Sequence, residues 1–222
     1  MVEDTRKPQK ILYLVSLPLK IGGILSMKGQ QAISVILLTG ILIVTVSSIY
    51  FWGVPLIQKN KDVALLENSE TFMLNLAESI KYVANNPGRE QVRFNVDGIM
   101  KFESGSIELQ VETGGTIYEA GGFIPLGKND CFATAGTWGT DPPETLCVKS
   151  ERIGQGSYLT TYKLTLIRLD TTGADAYKIE LTGNPKQATS NRIVTFQNKG
   201  TTQGIEGSKN VIRSLVSFDI QT

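Results

Sequence analysis

Three hydrophobic patterns follow one another along the chain. The first has no period. Between Lys28 and Lys59 there is no charged residue, and Gly29–Gln58 reads GQQAISVILLTGILIVTVSSIYFWGVPLIQ. A helix rises about 1.5 Å per residue, so about 20 apolar residues span the hydrocarbon core of a bilayer, and Ala32–Ile57 exceeds that. Its polar members are Ser34, Thr39, Thr45, Ser47, Ser48 and Tyr50. Their hydroxyls can bond back to a carbonyl one turn earlier, which membrane helices tolerate. Tyr50 and Trp52 lie near one end, where an aromatic ring suits the headgroup boundary. Soluble core helices rarely run this long without a charge, so the pattern predicts a membrane-length helix over 30–57.

The second pattern is helical and two-sided. Pro55 can kink or interrupt a helix. Past it, Val63, Leu66, Phe72, Met73, Leu76, Ala77, Ile80, Val83 and Ala84 recur at steps of three and four. Glu67, Asn68, Asn75 and Lys81 take the other side. This predicts an amphipathic helix within 58–88 whose stripe docks on the domain behind it. Asn85-Asn86-Pro87-Gly88 ends it, because proline disfavours helix in the residue before it and asparagine and glycine accept left-handed geometry.

The third pattern has period two. Val92, Phe94 and Val96 alternate with polar residues, and Asp97-Gly98 is a two-residue hairpin signal from which Ile99–Glu103 returns. Ile107, Leu109 and Val111 mark a strand with one dry face, and Thr116–Ala120 is expected to pair back after Thr113-Gly114-Gly115. An irregular middle precedes a long strand over Tyr158–Leu169, a turn near Thr172-Gly173, and strands around Tyr177–Leu181, Arg192–Gln197 and Val211–Ile220. The expected fold class is therefore α+β: a long N-terminal helix, then a β-rich globular domain over 89–222 with seven or eight strands, as a sandwich or wrapped sheet.

Charge adds a direction. The 222 residues carry 22 Lys and Arg against 21 Asp and Glu. Within 1–29, Arg6, Lys7, Lys10, Lys20 and Lys28 outnumber Glu3 and Asp4, whereas acidic residues are in slight excess over 59–222. A basic flank stays in the cytoplasm, which places the C-terminal domain outside. Nothing in this balance suggests the clustered positive surface that nucleic-acid binding needs. Histidine is absent, which removes the commonest general base and metal ligand. Two cysteines cannot build a four-ligand zinc site. No phosphate-binding glycine motif occurs. The expectation is a protein that is not an enzyme and holds no cofactor or metal.

The order of segments before the helix is informative. A secretory signal peptide places its cleavage site after the apolar stretch. Here Lys28-Gly29 precedes it, followed by Gln30-Gln31-Ala32-Ile33-Ser34-Val35, with Met27 directly before. This layout resembles the archaeal type IV pilin and archaellin-like family with class III signal peptides. The resemblance covers roughly residues 27–57. It implies a leader over 1–29 (or Met27-Lys28-Gly29, if translation starts at Met27), a processing site at Lys28, Gly29 and Gln30, and a cut by a prepilin peptidase between Gly29 and Gln30. It implies membrane lipid as the surroundings before assembly, a pilus assembly platform, and copies of the same chain as partners in a helical filament. One departure stands out: many pilins carry glutamate at the fifth mature position, and this chain has Ser34.

Three smaller features complete the reading. Cys131 and Cys147 enclose a loop containing Trp138, Pro142 and Pro143. Outside the cell they are free to form a disulfide, with two buried thiols as the alternative. Glu108, Glu112 and Glu119 could pair as acid and base across a hairpin, and Asp130, Asp141 and Glu144 could offer oxygens to calcium, but solvated strand faces explain both. Ser34, Gly40, Ser47 and Ser48 are small enough to let apolar helices approach closely. The function expected is a structural one: a filament subunit assembled through its N-terminal helix, with the β domain contacting surfaces. The alternative is an uncleaved, membrane-anchored extracellular module that binds a glycan, an envelope protein or a secretion substrate.

Overall fold

The computed structural model describes residues 29–119 and 121–221. Residues 1–28, and with them Lys28 and all of the expected leader but Gly29, lie outside the described residues, as do Ala120 and Thr222. The chain divides into two compact units, up to Trp52 and from Gly53 onward.

A single helix, α1, runs Gly29–Asn85 and carries Pro55 inside it. The division of the helix at 57/58 read from the sequence is therefore not a break in secondary structure. A proline removes one N–H from the ladder, and here the helix continues past it.

From Gly53 on, the fold is α+β, the expected class. Twelve strands are described: β1 Arg89–Phe94, β2 Ile99–Glu103, β3 Ser106–Thr113, β4 Ile124–Pro125, β5 Ala135–Thr137, β6 Glu144–Gly154, β7 Ser157–Leu166, β8 Arg168–Asp170, β9 Asp175–Thr182, β10 Lys186–Thr189, β11 Arg192–Glu206 and β12 Lys209–Gln221. They form two six-stranded sheets, β1-β11-β12-β9-β8-β5 and β10-β2-β3-β7-β6-β4. Most pairs are antiparallel, but β12–β9 and β5–β8 are parallel.

One core joins these layers. Phe72, Met73, Leu76, Ile80 and Val83 of α1 share it with Phe94, Phe196 and Phe218 of the first sheet and Met100, Phe102, Leu109 and Leu164 of the second. Phe72 meets Phe94 with ring centroids 5.3 Å apart, and Phe102 stacks on Phe218 across the sheets at 4.6 Å. The stripe read from period 3.6 is thus the buried one, and the alternating positions of β3, β9 and β12 face the same core.

The end of α1 is closed by side chains distant in sequence. The last carbonyls of a helix lack intrahelical partners. Asn198 Nδ2 donates to Val83 O at 2.8 Å, and Ser214 Oγ to Ala84 O at 2.6 Å. Asn198 sits where the β11–β12 register shifts, so the bulge aims its side chain at the helix end.

Several expectations about connections are corrected. Asp97-Gly98 does not turn a hairpin: β1 pairs with β11, and β2 with β3 and β10, so the chain changes sheets there. Gly98 is required by proximity, since a Cβ at this position would lie 2.6 Å from Gln110 O. A two-residue hairpin turn stands instead at Ser104-Gly105 between β2 and β3, with φ of 52° and 73° at the two positions. Thr116–Glu119 is not a strand, and the place beside β3 belongs to β7. Tyr158–Leu169 is not one strand, since the chain leaves the second sheet after Leu166 and enters the first at Arg168. The middle read as irregular contains β4, β5 and the 11-residue β6. Strand β6 escaped the period-two test because Thr145, Leu146, Cys147 and Val148 are all buried in succession.

Candidate functional site

Among the described residues, the first unit presents an apolar surface that is left exposed. From Ile33 to Trp52 every large apolar side chain is exposed, including Leu38 at 68% and Trp52 at 78%. The helix is long and apolar enough to cross a membrane, with a window of mean hydropathy 2.3. Its threonines and one serine are quiet in the way such a setting demands. Thr39 Oγ1 donates to Val35 O, Thr45 Oγ1 to Ile41 O and Ser48 Oγ to Val44 O, at 2.7–2.8 Å. Each hydroxyl is satisfied within its own helix and presents little unpaired polarity outward.

The four small residues do not make a single stripe. At about 100° per residue, Gly40 and Ser47 fall on one track. Ser34 and Ser48 fall on another, rotated by roughly a quarter-turn or more from the first. Gly40 has open space where a Cβ would stand. Of the three residues expected to form a processing site, Gly29 and Gln30 are the first residues of α1, and Lys28 lies outside the described residues.

The cysteines are joined: Cys131 and Cys147 form a disulfide with Cα atoms 5.8 Å apart. The enclosed loop is also tied by Asn129 Nδ2, which donates to Pro142 O and Glu144 O at 2.8 Å. Trp138 packs edge-on to Tyr177, with centroids 5.1 Å apart.

Of the carboxylates weighed for chemistry, four are occupied elsewhere and two are solvated. Glu108 pairs with Lys163 at 2.9 Å across β3 and β7. Glu112 and Glu119 are exposed, and Glu119 lies outside any strand. Asp130 Oδ1 accepts from Phe132 N–H. Asp141 accepts from Thr137 N–H and pairs with Lys128, which together hold its carboxyl below the usual range. Glu144 pairs with Lys81 at 3.0 Å. Among the described residues, no group of three or more His, Cys, Asp or Glu is placed to hold a metal ion.

The structure brings together residues that the sequence reading passed over. Tyr162 is fully buried, and its hydroxyl donates to Leu66 O at 2.9 Å. Tyr118 Oη lies 3.1 Å from Tyr162 Oη and donates to Glu70 Oε2 at 3.0 Å. Burial pushes the Tyr118 hydroxyl up to about 12 and the Tyr162 hydroxyl higher still. This chain of bonds fastens segment 114–119 to α1. The segment then forms, with α1, a cleft of about 390 Å³ lined by Pro55, Gln58, Lys59, Asp62, Val63, Gly114, Gly115, Thr116 and Ile117. The signal was present in the sequence: Asp62 lies on the same helical face as Leu66, Ser69 and Met73, so a carboxylate interrupts the buried stripe.

Comparison with protein-family models, with curated proteins and with solved structures finds no match.

Proposed function

We propose that the chain is a structural subunit of an archaeal type IV pilus-like surface filament. In this reading a prepilin peptidase cuts between Gly29 and Gln30, and the apolar half of α1 leaves the bilayer to pack with copies of itself. The β domain lies outside the cell and makes surface contacts, without catalysis.

One observation carries the reading: the fully exposed apolar surface from Ile33 to Trp52. Fourteen large apolar side chains lie on it. At about 1.5–3 kcal/mol each, covering them is worth on the order of 20–40 kcal/mol, so water is not their resting environment. Lipid and neighbouring copies are the two covers that suit a surface apolar on all sides. The resemblance at Lys28-Gly29 selects a chain that uses both in turn. The Cys131–Cys147 disulfide is consistent with an oxidising location for the β domain.

Mass spectrometry of the surface-exposed form from its own cells tests the proposal. A mature terminus at Gln30 is expected, and an intact terminus at residue 1 or residue 27 overturns it. Ser34, standing where many pilins have glutamate, favours the second reading of an uncleaved anchored binding module. Extraction by detergent as a monomer, with no filaments on the cells, would support that reading instead.

A further inference from the structure

The cleft between residues 55–63 of α1 and residues 114–117 contains a carboxylate, Asp62, without an ion-pair partner among the described residues. Asp62 is 7% exposed, and its one hydrogen bond comes from a neutral group, Gln58 Nε2 donating to Oδ1 at 3.1 Å. Among the described residues it forms no ion pair. A carboxylate oxygen that receives no donor from the protein is free to accept one from a ligand. The other oxygen, Oδ2, stands at the cleft wall. A Cβ at Gly114 would lie 3.1 Å from it, and one at Gly115 3.8 Å. Both glycines line the cleft, so the absence of side chains there keeps this oxygen reachable.

The remaining walls are largely apolar, from Pro55, Val63 and Ile117. One anionic oxygen at the wall of a mainly apolar cleft is complementary to a cation carried on a hydrocarbon stem. We propose that this cleft binds a primary ammonium group on a short apolar chain, with an N–H of the ammonium donating to Asp62 Oδ2. Lys59 lines the cleft and is exposed, three residues before Asp62 on the same helix. Its charge sets a limit: a second cation near the mouth is repelled, which favours a monovalent amine over a diamine.

The test uses the full chain in lipid nanodiscs with isotope-labelled valine and isoleucine methyl groups. n-Butylammonium and n-butanol are titrated as matched ligands, with empty nanodiscs to subtract partition into lipid. Saturable shifts at Val63 and Ile117 with n-butylammonium, and none with n-butanol, are expected. Asp62→Asn should weaken the binding at least tenfold, since it removes a charge-assisted bond. Lys59→Gln should leave it intact or tighten it. If Asp62→Asn does not fold, Gly114→Ala serves in its place, because the added methyl group crowds Oδ2 and should weaken binding in a folded protein. Equal response to the two ligands, or wild-type binding by the variants at Asp62 or Gly114, overturns the proposal. Loss of binding in Lys59→Gln overturns it as well, by making Lys59 rather than Asp62 the residue that holds the ligand.

Discussion

Two stretches of the same helix behave in opposite ways. From Ile33 to Trp52 the side chains are apolar in every direction and all the large ones are exposed. From Leu66 to Ala84 most apolar residues keep to one stripe that is buried against two sheets, while Leu74 and Tyr82 stay exposed outside it. Both stretches satisfy their backbone in the same way, so the difference lies in who provides the cover. A stripe of limited width specifies a partner on one side, and the chain supplies it. A surface apolar all round specifies an apolar environment rather than a partner on one side.

The sharpest way to break this comparison is to truncate one leucine in each stretch. Leu76 is fully buried, so Leu76→Ala should destabilise the β domain by about 2–5 kcal/mol. Leu42 is 60% exposed, and Leu42→Ala should leave the unfolding of that domain within about 0.5 kcal/mol of wild type. Near-ultraviolet dichroism during urea unfolding in detergent reads both. Equal effects would mean that the two stretches are not energetically separate.

A smaller effect is expected at the helix end. Asn198→Ala removes the donor to Val83 O and leaves a part-buried carbonyl unpaired, at a cost of about 1–3 kcal/mol. Hydrogen exchange should quicken in the last turn before Asn85 and remain unchanged before Trp52. Exchange that quickens along the whole helix would show the two stretches to open as one.

The smallest effect should appear only in alkali. Tyr118 loses its proton in the unfolded chain near pH 10 but in the fold near pH 12. The protonated form is thus the one the fold favours, and its contribution is full below pH 10 and lost as pH rises toward about 12. Tyr162, raised in the same direction, adds to the loss. Tyr118→Phe should flatten part of this alkaline slope and loosen segment 114–119, read as exchange at Ile117. An unchanged slope would remove Tyr118 from the fastening of the cleft.

How much of this was legible depends on the range of the interaction. The two helix patterns, the end at Asn85 and the alternation in β3, β9 and β12 follow from spacing along the chain, and all are present. The strand connections were misread at Asp97-Gly98 and Ile167 for one physical reason. A turn signal reports local backbone geometry, and it carries no information about which strand waits on the other side. Gly98 is the clear case: its role comes from Gln110 O, twelve residues away in sequence.

The candidate site divides along the same line. The apolar run, the hydroxyls that bond within it and the cysteine pair are properties of composition and spacing. The sequence by itself determined that one helix would be apolar all round and then two-sided, because helical period is a local property. Only the tertiary structure decided that Asn198 and Ser214 close the helix. It alone decided that Tyr118 holds 114–119 out of a sheet and that Asp62 faces two glycines at the wall of a cleft. Those arrangements join groups from 44 to 130 residues apart through hydrogen bonds and close approach, which no periodicity encodes.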